Sequence, residues 1–136
     1  MKFYASIAVV LLTVFIAPGL AKTSQAAEKG VAPSITKAKG GYTVEELYAK
    51  KDALKGKKVA VRGKVVKFNG DIMGRNWLHL QDGSGKQGAN DITVTTNQDA
   101  KIGNTIIATG VMATNKDFGG GYSYEVILED AALTVE

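Results

Sequence analysis

The sequence predicts a mainly β domain, a five-stranded Greek-key barrel preceded by one short α-helix. Three observations predict it. Short stretches alternate apolar and polar residues with period two, and three of them crowd between Gly56 and Thr96. Turn-forming residues separate these stretches at regular intervals, a meander first and a hairpin last. A capping-box pattern, Thr43 followed three residues later by Glu46, opens the helical stretch ahead of the first strand.

Taken in order, residues 1–26 have the layout of a secretory signal peptide. Lys2 leads into an apolar run of 13 residues, Ala5 to Ala17, which Pro18-Gly19 ends, and cleavage sites follow Ala21 and Ala26. The run is shorter than the roughly 20 residues a spanning helix needs, so no membrane span is expected after cleavage. Residues 27–41 are small and polar without periodicity and are expected to be a flexible leader. The domain proper is expected over 42–136. Its helix runs from Thr43 to Leu54 with Val44, Leu47, Tyr48 and Leu54 on one face, and Gly56 ends it.

Strand one is expected at Lys57 to Phe68, with Val59, Val61 and Val65 inward and Gly63 where the strand coils or another backbone comes close. Asn69-Gly70 is a turn dipeptide, but the connection continues through Arg75, so a long loop is expected there. Strand two, Trp77 to Asp82, sends Leu78 and Leu80 inward and Trp77, His79 and Gln81 outward. Strand three, Asp91 to Thr96, buries Ile92 and Val94 and presents Thr93 and Thr95 outward. Strand four is Thr105 to Ala113, with Ile106 and Ala108 inward. A second loop spans Asn115 to Gly121, strand five runs from Tyr122 to Glu129, and a closing segment covers Ala131 to Val135.

Composition limits the chemistry. The chain has no cysteine, which excludes disulfides, thiol catalysis, thiolate zinc sites and iron–sulfur clusters. With one histidine there is no visible Ser-His-Asp arrangement, and Glu129 and Asp130, adjacent in a strand, point to opposite faces, so no enzyme activity is expected. Gly83-x-Gly85-x-x-Gly88 precedes a strand and not a helix, and lacks the geometry of a dinucleotide fingerprint. The net charge of +4 hides an asymmetry. Residues Glu28 to Arg75 hold 12 basic and 5 acidic side chains (+7), and Asn76 to Glu136 hold 3 and 8 (−5). Such a division signals either a polyanion partner for the basic half or interleaving of charges on folding.

Gly56 to Gly63 (GKKVAVRG), Trp77 to Gly85 (WLHLQDGSG) and Gly103 to Gly110 (GNTIIATG) resemble the repeated phrases of the OB-fold. The chain resembles small exported bacterial OB-fold proteins of the periplasm, a family labelled DNA-binding or nitrite-reductase-associated. The resemblance covers about residues 42 to 135. It implies a five-stranded OB barrel and a periplasmic location. From the wider OB-fold class it implies an outward aromatic at Trp77 that stacks on a base, with His79 and Gln81 beside it on the binding face.

The expected ligand-binding set is Arg62, Lys64, Arg75, Trp77, His79, Gln81, Thr93 and Thr95. An indole platform flanked by cations suits single-stranded nucleic acid or another anionic oligomer. The expected function is a non-catalytic periplasmic binding module with no cofactor. Two alternatives stand beside it. One is an accessory factor that binds a protein partner in a respiratory or envelope complex. The other is a Cu(I)/Ag(I) metallochaperone, since Met73, His79 and Met112 resemble the donor inventory of a periplasmic copper- and silver-binding OB barrel. In that protein the methionines stand two apart on a neighbouring strand, where this chain has Thr93 and Thr95.

Overall fold

A computed structural model describes residues 34–136. The signal peptide expected at 1–26 and the first part of the leader lie outside the described residues. From residue 34 onward the expected leader runs along the barrel. Ile35 N donates to Asp82 O, Arg62 reaches Thr36, and Ala38 is buried. Among the described residues no helix is long and apolar enough to cross a membrane.

The expected helix forms as two short pieces, α1 (Val44–Ala49) and α2 (Lys51–Leu54), which break at Lys50. The capping box is present in full: Thr43 accepts from Glu46 N, and the Glu46 carboxylate accepts from Thr43 N. Asp82, itself buried, adds a second tether by accepting from Val44 N at 2.9 Å. Val44, Leu47 and Leu54 enter the barrel core from this lid.

Five strands follow: β1 (Lys58–Ile72), β2 (Arg75–Gln81), β3 (Ile92–Thr96), β4 (Thr105–Asp117) and β5 (Ser123–Val135). They close into a barrel in the order β1-β2-β3-β5-β4, antiparallel throughout except for the parallel pair β3/β5. All nine residues expected inward (Val59, Val61, Val65, Leu78, Leu80, Ile92, Val94, Ile106 and Ala108) are buried in one core. Gly63 lies where a side chain would meet Leu80 Cβ at 3.2 Å and Gln81 O at 3.1 Å, so β1 and β2 approach closely there.

Three departures shape the site. First, the expected loop from Asn69 to Arg75 is mostly strand. β1 continues to Ile72, and the turn is Met73-Gly74, both at positive φ (53° and 73°), as two-residue hairpins of the right twist require. Second, β4 and β5 extend beyond the barrel as a long hairpin whose tip, Phe118 to Tyr122, is closed by Phe118 N to Tyr122 O and Tyr122 N to Gly119 O. Third, register shifts interrupt strict alternation. One near Val66 leaves both Val66 and Lys67 outward and turns Phe68 toward the core. Another, opposite Gly110, comes where Asp130 takes φ 52° and joins the two expected C-terminal segments into one strand.

The joint between β3 and β5 is thin. It has two backbone pairs, Thr93 with Ile127 and Val94 with Leu128. Side chains complete it. Thr95 Oγ1 accepts from Asp130 N, Thr96 Oγ1 donates to Ala131 O, and Gln98 both accepts from Leu133 N and donates to Leu133 O.

Candidate functional site, a cleft between two hairpins

The register places Lys67, His79 and Thr93 in one row across β1, β2 and β3, and Asn69, Trp77 and Thr95 in the next. The extended β1–β2 and β4–β5 hairpins rise on either side of this surface. Between them lies a hollow of about 430 Å³ lined by Lys67, Asn69, Ile72, Trp77, His79, Gly121, Tyr122 and Tyr124. A smaller hollow of about 140 Å³ is lined by Met73, Arg75, Trp77 and Phe118.

Trp77 faces away from Leu78 and Leu80, as the alternation predicts, but it is not the exposed stacking platform expected. It is 4% exposed. Its Nε1 donates to Ile72 O at 2.8 Å, which ties the indole to the β1–β2 turn. Rings from the other hairpin cover it: Phe118 edge-on at 5.2 Å, Tyr124 stacked at 5.9 Å and Tyr122 tilted at 6.4 Å. These pairings are favourable by about 0.5–1.5 kcal/mol each beyond their buried area. Trp77 is the floor of the cleft, and the accessible aromatic surface belongs to Tyr122, which is 44% exposed, and Tyr124.

His79 meets Asp91, Nδ1 to Oδ1, at 2.7 Å. A carboxylate accepts and does not donate, so Nδ1 carries the proton and Nε2 is left for a ligand. Tyr48 on the helical lid donates to Asp91 O at 2.6 Å and braces this pair from behind. Burial, then the charges of Asp91 and Glu125, push the Tyr48 hydroxyl up from its ordinary pKa. Burial, then Tyr122, does the same for Tyr124. Both phenols therefore stay protonated, and of the two Tyr124 lines the cleft, where it adds a hydrogen-bonding hydroxyl without adding negative charge.

The remaining expected residues divide. Arg62 does not reach the cleft, because its guanidinium is held by Glu136 (Nε at 2.9 Å) and Thr36. Lys64 pairs in register with Gln81, one row further along, and neither lines the hollow. Arg75 lies at the smaller hollow, 3.6 Å from Asp130. Thr93 and Thr95 are buried, and Thr95 is committed to the β3/β5 joint, so neither is available to a ligand. The soft donors are not gathered. Met112 is in the barrel core, while Met73 and His79 line different hollows.

Lys67 was missing from the expected set, and so were Asn69, Phe118, Tyr122 and Tyr124. The charge asymmetry is resolved only in part by pairing between the halves, through Lys51–Glu125, Arg62–Glu136 and Arg75–Asp130. Lys64 and Lys67, on β1, make no ion pair among the described residues. The chain matches no protein-family model and no curated protein.

Proposed function

We propose that this chain is an exported OB-fold binding module, without catalytic activity, that receives an anionic ligand in the cleft between its two hairpins. The OB assignment is supported by the strand order with its parallel β3/β5 joint. It is supported too by the place of the cleft, on the β2–β3 face between the β1–β2 and β4–β5 connections, where such barrels take oligonucleotides and oligosaccharides. Export to the periplasm rests on the signal-peptide pattern of residues 1–26. A binding role fits His79, whose Nδ1 is tied to Asp91 so that the ring is held in one orientation beside the hollow.

The observation that carries the reading is the meeting of a cation and flat rings in one hollow. Lys67 has no carboxylate partner among the described residues, and Tyr122 and Tyr124 offer ring surface beside it. Lys67 would attract an anionic group, Asn69 would supply an amide donor and acceptor, and the tyrosines would hold the planar part. Lys64, nearby on β1, extends the positive surface.

Fluorescence anisotropy with a labelled single-stranded oligonucleotide tests this. Binding should weaken steeply with salt, and Lys67→Ala should lower affinity and reduce the salt slope by about one. Wild-type affinity in Lys67→Ala would remove the cleft from consideration.

A further inference from the structure

The smaller hollow is not a separate feature of the surface. It shares Trp77 with the larger one and is walled by the same two hairpins: Met73 in the β1–β2 turn, Arg75 at the start of β2, and Phe118 at the β4–β5 tip. The two hollows are thus consecutive stations along β2, one at His79 and one at Arg75, with the edge of Trp77 between them. Four residues of strand separate these stations, roughly 13 Å. Each station has one cation, Lys67 or Arg75, and its own apolar flat surface, from Tyr122 and Tyr124 or from Phe118 and Met73.

We infer that the second hollow is a subsite for a further unit along the same oligomeric ligand, and that the ligand is single-stranded nucleic acid. The inference rests on the reading of the larger hollow as the primary site. The choice of ligand follows from the lining of the second hollow. Its polar side-chain chemistry comes from Arg75, whose present contact with Asp130 is long at 3.6 Å and exposed. Met73, 53% exposed, and Phe118 offer sulfur and ring surface and no neutral hydrogen-bonding group. A hydroxyl-rich sugar seated there would find donors in Arg75 alone and no side-chain acceptor for its own hydroxyl protons. A nucleobase presents a flat face to the phenyl ring and the thioether, and its phosphate meets the guanidinium. Arg75 exchanges its weak carboxylate contact for a charge-assisted bond to phosphate.

The test is calorimetric titration of the protein with thymidine monophosphate and with the 5′-phosphorylated thymidine trinucleotide, which is long enough to reach from one station to the other. The trinucleotide should bind about tenfold more tightly or better, the gain expected of one added stacked base. Met73→Ala and Arg75→Ala should each remove most of that step, Arg75→Lys should keep part of it, and Lys86→Ala, at an exposed loop position, should change nothing. Met73 is exposed, so its truncation leaves the core untouched. Equal affinity for the two ligands, or a step that survives both variants, overturns the second subsite. An acidic disaccharide that shows the same Met73- and Arg75-dependent step overturns the nucleic-acid assignment. Failure of the primary site has a different signature: Lys67→Ala leaves monophosphate binding unchanged, or the monophosphate does not bind while the trinucleotide does so through Met73 and Arg75. No binding of either ligand sinks both.

Discussion

Strand β2 has two buried faces that are buried by different means. Leu78 and Leu80 are fully enclosed by a core drawn from all five strands and the helical lid. Trp77, next to Leu78 in sequence, is 4% exposed, and its cover is three rings from one hairpin. Degree of burial alone would class the three residues together. The source of the burial separates them. The inner face is held by the whole ring of strands, so its disruption is felt everywhere. The outer face is held by a single projecting element, so it can be uncovered while the barrel stands.

Leu80→Ala should break the inner face outright. Truncation of a fully enclosed leucine costs about 2–5 kcal/mol, and urea denaturation followed by far-UV dichroism should show the loss as one cooperative transition. A cost near zero would mean the core is not continuous through β2. Phe118→Ala should sharpen the contrast. We expect a smaller loss, about 1–2 kcal/mol, below the ~3–5 kcal/mol of a fully buried phenylalanine, together with a red-shifted Trp77 emission and unchanged strand content. If emission stays put, Tyr122 and Tyr124 suffice as cover.

The smallest effect concerns the lid over the inner face. Glu46 has its pKa lowered from 4.5 to about 2, first by the hydrogen bond from Thr43 N–H and then by Lys37. A carboxyl whose folded pKa lies below its unfolded value adds stability above about pH 4.5 and loses it as the pH falls toward 2. The group is near the surface and solvent screens it, so the expected contribution is under about 1 kcal/mol. Thermal melts of Glu46→Gln should show a shallower decline between pH 4.5 and 2 than the parent protein. Parallel curves would assign the acid loss to other carboxylates.

The inner face was legible because period-two alternation reports which side of a strand meets the core, and all nine expected residues are there. The outer face was legible in direction but not in environment. Alternation turns Trp77 and His79 outward, but it carries no record of a hairpin folding over them from forty residues away. Phe118, Tyr122 and Tyr124 flank the glycines of an expected loop, and their clustering there was the available signal. Lys67 was hidden by the register shift at Val66, which puts two successive residues on the same side. Arg62 illustrates the opposite error, a cation on the expected strand whose partner, Glu136, comes from the last residue of the sequence. Asn69-Gly70 has the letters of a tight turn, but the chain turns at Met73-Gly74.

A closed sheet has no free edge along its barrel, which is how such folds avoid pairing with copies of themselves. Here that protection depends on the β3/β5 joint, the shortest ladder in the ring, with two backbone pairs and the bonds from Thr95, Thr96 and Gln98. Parting this joint would turn β3 and β5 into two edge strands at once, β3 carrying the apolar Ile92 and Val94. Thr95, on the face where a ligand contact was expected, and Thr96 beside it on the other face therefore act against self-association, through hydroxyls that are themselves buried.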